Sequence, residues 1–188
     1  DANDNGDGGG RVLNDFLAEE LKFRRKGAAA VDSRDGKESP LEDYLLKPSV
    51  RDKYLHVFDI VTPYSKSCCC FTKNYFKYHK GTGSLVATNA VPLREQGRES
   101  FVEEDTGLVH IQLSSISGKG NVEKADEEIL DALVLRYFTP QEVANLHSFP
   151  AGFSFPENVT KKQRYALLGN SLSVAVVTHL LSYLFREP

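Results

Sequence analysis

Residues 160–177 read TKKQRYALLGNSLSVAVV, and this stretch decides how the second half of the chain is built. Thr160 followed three positions later by Gln163 is a capping-box pattern, so a helix is predicted to start there. That helix carries Tyr165, Leu167 and Leu168, and Gly169 reads as a left-handed stop. Asn170 and Ser171 can each cap a second helix directly after it. The next stripe, Leu172, Val176, Leu180 and Leu184 with Val177 and Leu181 beside it, is wide enough to be mostly buried. A Gly-Asn-Ser turn at the head of an apolar helix exposes backbone N–H groups and a hydroxyl. Such a turn suits a carboxylate or another polar ligand group, and plain helix capping accounts for the same residues without one.

Upstream, Thr139-Pro140-Gln141-Glu142 is a second helix start: Thr can cap, Pro suits the first helical position and Glu can reach back. Ile129, Leu130, Leu133 and Val134 make an apolar stripe before it, so the last third reads as helical. Residues 54–62 are β-branched and aromatic enough for a strand, and Cys68–Phe71 extends the sheet after a turn at Pro63. Gly81-Thr-Gly83 reads as a tight turn, with strands at 84–88 and 107–113. A short helix or two turns surround Pro48. Residues 12–25 have helical spacing (Leu13, Phe16, Leu17, Leu21), residues 26–40 read as a surface insertion, and residues 1–10 as a disordered leader.

The 188 residues are 40% hydrophobic and 26% charged, which excludes a chain disordered throughout. No apolar run approaches the roughly 20 residues of a membrane helix, so no membrane partner is expected. A net charge of −3 argues against indiscriminate nucleic-acid coating. The charge is uneven: residues 51–94 carry +5 and residues 95–131 carry −7, and the acidic stretch 95–121 reads as mostly irregular. With no methionine, the chain is expected to be an excised or processed piece of something larger. The three cysteines are consecutive, Cys68-Cys69-Cys70. Without spacers they cannot converge on a metal, and an odd cluster is no disulfide framework. No metal site is expected, and the compartment is expected to be reducing, cytoplasmic and/or nuclear. His56, His79, His110, His147 and His179 are scattered, with no nucleophile paired to them.

Residues 66–83, KSCCCFTKNYFKYHKGTG, interleave lysines with aromatics. Lysines neutralise phosphates and aromatics stack on unpaired bases, which points to nucleic acid. A half-buried strand pair with its aromatics inside explains the same pattern. Glu157-Asn158-Val159 spells a triad that cytosine methyltransferases use on the target base, but here it falls between Pro156 and the Thr160 cap and reads as a capping loop.

Taken together, three blocks resemble the cytosine-5 methyltransferases. LRYFTPQEVANLHSFP (135–150) looks like the family's motif nine and KKQRYALLGNSLSVAVV (161–177) like its motif ten. SCCCFTKNYFKYHKGTGS (67–84), with its Cys70-Phe71-Thr72 signature, resembles the target-recognition region of the tRNA-acting branch. The resemblance implies an α/β fold. Residues 11–121 would be a mixed α/β target-recognition domain, and residues 122–188 a helical segment returning to a Rossmann-like methyltransferase fold. It implies methyl transfer from S-adenosyl-L-methionine to carbon 5 of cytosine, at the anticodon loop of aspartate tRNA, with DNA as a further substrate. In that chemistry a cysteine thiolate attacks carbon 6 of a base taken out of its stack.

By match to the motifs, Asn170, Ser171 and Val174 are expected at the cofactor. Cys70, Phe71, Thr72 and Lys73 are expected to face the RNA, joined on charge and stacking by Lys66, Tyr75 and Lys77. Arg136 and Arg164 are expected to brace the motif-nine and motif-ten packing, with an RNA-phosphate role as the second reading. The family's Gly-rich cofactor motif and Pro-Cys nucleophile loop are absent from this sequence, so the missing N-terminal catalytic half is an implied partner. No catalytic residue is expected in this chain, which alone should be inactive and, with apolar helix surface stranded, marginally stable or prone to associate. The alternative is a catalytically dead RNA-binding fragment or scaffold.

Overall fold

The computed structural model describes Leu13 and residues 42–93, 99–112 and 127–186. The leader, the 26–40 insertion, all of the 12–25 helix but Leu13, and the two ends of the acidic stretch lie outside the described residues. The architecture is mixed α/β, as expected. One sheet holds β1 (Asp59–Val61), β2 (Ser84–Ala87) and β6 (Leu135–Tyr137) in the order β1-β2-β6. A second holds β3 (Ala90–Pro92), β4 (Phe101–Glu103) and β5 (Leu108–Ile111) in the order β3-β5-β4. The helices are α1 (Pro48–Tyr54), α2 (Glu127–Ala132), α3 (Pro140–Leu146), α4 (Lys161–Gly169) and α5 (Val174–Leu184).

β1 and β2 run parallel, with Ile60 opposite Leu85, and a parallel pair needs a long crossover. Residues 62–83 are that crossover, and they fold as turns rather than as the β extension expected at Cys68–Phe71. Thr62 starts the first turn, accepting from Ser65 N and donating its own N–H to Ser65 Oγ (both 3.0 Å). The strand expected over 54–62 is shortened to β1, because 55–57 close into a 3-10 turn. Three strands escaped the sequence reading. β3 lies just past the strand read at 84–88, β4 in the stretch read as irregular, and β6 in the third read as helical; each is three residues long, too short for a period to show.

Asn89 joins the two sheets. Its side-chain amide donates to the carbonyls of Gly107 and Ala132 (both 2.9 Å), and its side-chain oxygen accepts from Val134 N (2.8 Å). Ile60, Leu85, Val86, Phe138 and Val143 are fully buried in the core, with Leu85 and Val86 on opposite faces of β2.

At the centre of that core lies a charged pair. Arg136, on β6, forks onto Glu142, with Nη1 to Oε2 at 2.8 Å and Nη2 to Oε1 at 2.9 Å. Both side chains are almost wholly buried. Glu142 is also the third residue of α3. Its carboxylate accepts from Thr139 N (2.8 Å), while its own N–H donates to Thr139 Oγ1 (3.2 Å), closing the capping box read from the sequence. Arg136 Nη1 donates in addition to Tyr137 O at 3.0 Å.

The last helix departs from expectation. The Leu172–Leu184 stripe is exposed rather than mostly buried: no residue of α5 is buried, and Leu180 and Leu184 are 60% and 69% exposed. Asn170 and Ser171 do not cap it. Asn170 ends α4, and Ser173 precedes α5 without a side-chain cap. The stretch Lys161–Leu184 is, by length and mean hydropathy alone, long and apolar enough to cross a membrane. However, residues 170–173 break it, Tyr165 and Leu168 of α4 are buried in this fold, and α5 alone is about 16 Å long, well short of a roughly 30 Å hydrocarbon core.

Two outcomes are expected. Glu142→Ala strands a buried guanidinium and should cost about 3–5 kcal/mol in urea unfolding, and the paired replacement R136M/E142L should recover most of that loss. In sedimentation velocity the chain should self-associate through α5, and Leu180→Glu with Leu184→Glu should shift it toward monomer.

Candidate nucleic-acid interface

The crossover 62–83 is pinned at both ends. Thr72 N donates to Thr82 O (2.9 Å), and Cys69 N donates to Ser84 Oγ (2.8 Å), whose own hydroxyl donates to Asp59. Between these pins the chain turns twice: Tyr75 N reaches Thr72 O (2.9 Å) and Lys77 N reaches Asn74 O (3.0 Å). Thr82 Oγ1 donates to Tyr78 O (2.7 Å), and Gly81 at φ +66° takes the left-handed turn that its lack of Cβ permits. Gly83 lets the chain pass the rings of Phe71 and Tyr75, which any Cβ there would meet within 2.8 Å.

This geometry sorts the expected RNA-facing residues. Cys70, Lys66, Lys73 and Lys77 are exposed, and Thr72 is half-buried, its carbonyl holding the turn. Phe71 and Tyr75 are corrections: both are buried, so neither ring is open to a base. Phe71 packs edge-on against Tyr75 (4.9 Å between centroids) and Phe138 (5.3 Å). Tyr75 donates its hydroxyl to Ser84 O (2.6 Å) and accepts from Phe138 N (2.9 Å), and burial holds its pKa well above the usual tyrosine range. Their surroundings decide the matter. A ring with two satisfied backbone bonds is tied to the core, whereas spacing alone does not say which aromatics of the block turn inward. Phe76 is half-buried at φ +69°, held by stacking on Tyr165 (5.6 Å, 18° between planes) and by the edge of Tyr137 (4.8 Å).

The crossover meets α4 at one glycine. A Cβ on Gly169 would lie 2.0 Å from Lys73 N and 2.2 Å from the Thr72 carbonyl carbon. Gly169 is therefore not the left-handed stop read from the sequence; it stays in the helix and lets the Thr72–Lys73 main chain touch it. Directly after it come Asn170, exposed, and Ser171, whose hydroxyl makes only a local 3.3 Å bond to Leu172 O. Val174 is partly exposed, and its N–H donates to His147 O (2.8 Å), tying the start of α5 to the end of α3. Arg164 Nε donates to Val159 O (2.8 Å) and its guanidinium lies over Phe155 (5.4 Å), bracing the loop that holds Glu157-Asn158-Val159. Arg136 sits in the buried pair with Glu142. The sequence reading placed Glu142 in the capping box and missed its second role. An arginine and a glutamate six residues apart across a strand end and a helix start carry no periodic signal.

Two of the three cysteines, Cys68 and Cys69, are disfavoured as thiolates. Burial, then the nearby Asp59 carboxylate, pushes the Cys68 thiol up to about 11. Burial and Asp59, by charge and by hydrogen bond, also raise Cys69. Among the described residues no cluster of His, Cys, Asp and Glu has the makings of a metal site.

Residues 36–186 match the model of the C-5 cytosine-specific DNA methylase family, and the chain belongs to that family. Within it the likeness is to the tRNA-acting branch. The mouse tRNA (cytosine(38)-C(5))-methyltransferase is 41% identical over 143 residues, covering 76% of this chain and 30% of the mouse protein. The human protein of the same name is 40% identical over 151 residues, 79% of this chain and 34% of its own length. The crystal structure of the S. pombe Dnmt2 methyltransferase superposes with a TM-score of 0.61 at 32% identity, covering 93% of this chain and 41% of that one. The chain thus spans about a third of the length of these mammalian relatives.

Since the thiolate is the reactive form, Cys68 should alkylate with iodoacetamide at pH 7.4 at least tenfold more slowly in the folded chain than in urea. The gap should close as pH rises toward 11. Tandem mass spectrometry locates the label, and fast labelling of folded Cys68 at neutral pH would contradict the buried-thiol geometry.

Proposed function

We propose that the chain is the recognition and cofactor-closing portion of an S-adenosylmethionine-dependent cytosine-5 methyltransferase that acts on tRNA. The crossover would serve as the target-recognition element, and α3 to α5 as the helices that return to a Rossmann-like catalytic domain. The observation that carries this reading is the Gly169 contact, which seats the Cys70-Phe71-Thr72 block directly against the helix that delivers Asn170 and Ser171. Recognition surface and cofactor turn are thereby one body.

The residues of the turn fit the cofactor. An exposed amide and a hydroxyl with no partner among the described residues beyond the local Leu172 bond stand beside the apolar Val174, a mixture suited to a ligand with an amino-acid end and a nucleoside end. Bound there, S-adenosylmethionine would supply the methyl group. Asn170 and Ser171 would hold its polar groups, and Val174 would wall off water. Cys70, Thr72, Lys73, Lys66 and Lys77 would face the RNA, at the anticodon loop of aspartate tRNA if the resemblance extends to substrate. The raised thiols of Cys68 and Cys69 support a nucleophile supplied by the N-terminal half, with these residues positioning the target and cofactor around it. The exposed face of α5 suits the same assignment, as a surface made to be covered by that half. A reducing compartment, cytosol or nucleus, accords with three free cysteines.

The test is reconstitution. The chain, mixed with the N-terminal half of a tRNA-acting relative, should transfer labelled methyl from S-adenosylmethionine to tRNA, and the chain alone should transfer none. Ser171→Ala in the mixture should raise KM for the cofactor severalfold. Inactivity of the mixture, with both pieces folded, would count against the reading; transfer by the chain alone would place the nucleophile within it. DNA is assayed beside tRNA because the family model is described by DNA, and turnover on DNA alone would favour that substrate.

A further inference from the structure

Beside the crossover, the fold brings in a second basic segment that the motif resemblance does not touch. Tyr54, the last residue of α1, lies with its ring 4.6 Å from that of His79, and His79 also meets the edge of Phe58 at 5.6 Å. This ring contact sets two Lys-Tyr dipeptides side by side. Lys53 lies over the Tyr54 ring (5.3 Å), and Lys77 over the Tyr78 ring (4.8 Å), with Lys80 following at once. Lys53, Lys77 and Lys80 are exposed, and Tyr78 is 52% exposed. The acid nearest in sequence, Asp52, is engaged by Arg51 at 3.3 Å.

Both arms are held in place before any partner arrives. Arg51 ties α1 to α2 by an ion pair to Asp131 at 3.0 Å. The crossover arm is fixed by the Thr82–Tyr78 and Asn74–Lys77 bonds. A surface already ordered loses little conformational entropy on binding. Lysines beside a half-exposed aromatic ring match the two needs of an unpaired strand, phosphate neutralisation and base stacking, better than they match an acidic peptide, which offers nothing planar to stack.

We infer that α1 is a second arm of the RNA surface: Lys53 and Lys80 grip backbone phosphates on either side of the Tyr54–His79 contact, and the Tyr78 ring receives an unpaired base. This rests on the RNA reading above and extends it to α1, outside the 67–84 block.

The experiment is fluorescence anisotropy of the full chain with a labelled 17-nucleotide RNA stem-loop, repeated across a KCl series. Lys53→Ala with Lys80→Ala should weaken binding about tenfold and lower the slope of log Kd against log salt by about 1.4, the value for two single-strand phosphate contacts. The Lys→Arg pair should restore both. Tyr78→Leu should lose about fivefold or more with the slope unchanged. Parent-like affinity and slope in the lysine variant, while the parent chain binds, overturn the second arm and leave the RNA reading standing. Unchanged affinity in Tyr78→Leu overturns the stacking role. No binding by the parent chain overturns the RNA reading and the inference together. Matched melting curves establish that the variants are folded.

Discussion

The fold depends on the ion pair between Arg136 and Glu142. Burying two charges costs several kcal/mol per ion, and their attraction offsets this only with near-ideal geometry. Here a two-pronged fork supplies that geometry, and the same carboxylate also satisfies the backbone of the α3 cap. One prong of the guanidinium goes further, to the Tyr137 carbonyl, while Nε is left without a partner among the described residues. The arrangement is thus poor as a source of stability and good as a device for register. β6 can slide by one residue only by turning Arg136 away from Glu142, which a period-2 strand does completely. Because β6 pairs with β2, and β2 with β1, the pair also fixes how the crossover enters and leaves the sheet.

What the sequence disclosed is governed by the range of the forces involved. The two capping boxes, at Thr139 and Thr160, were readable because their partners lie three residues apart. β2 and β5 fall within the stretches read as strands at 84–88 and 107–113, and the short helix or turns read around Pro48 prove to be α1, which starts at that residue. The failures were non-local. β6 has only three residues, and its identity comes from pairing with β2 rather than from its own pattern. Phe71 and Tyr75 look like a stacking platform in one dimension, and only the approach of Phe138 and Ser84 turns them into core. Gly169 was noticed for a conformation it does not adopt; what requires glycine there is another part of the main chain, nearly a hundred residues earlier in the sequence.

The same distinction governs the candidate site. The alternating lysines and aromatics of 66–83 were legible as a pattern, but two readings of it were open, and the structure divides them residue by residue. The aromatics at 71 and 75 serve the core, as a half-buried strand pair would have had them, and the lysines at 66, 73 and 77 remain at the surface, as a nucleic-acid contact would need. The segment is not a strand, however. It is a crossover whose buried rings and backbone bonds give its exposed lysines a rigid footing. The turn at Asn170 and Ser171 was legible as a motif, while its position against the crossover was not.

The contact at Gly169 is between main chains, and that has a consequence for how such a surface can change. Because Thr72 and Lys73 meet the helix through their backbone, the spacing between the basic loop and the Asn170-Ser171 turn is set by atoms that every amino acid shares. Side chains at 72 and 73 can be exchanged without moving the turn. At 169 the tolerance is nil, since even one methyl group would wedge the two segments apart. The joint behaves as a fixed ruler with interchangeable faces: the side chains beside it can change while their distance from the turn cannot.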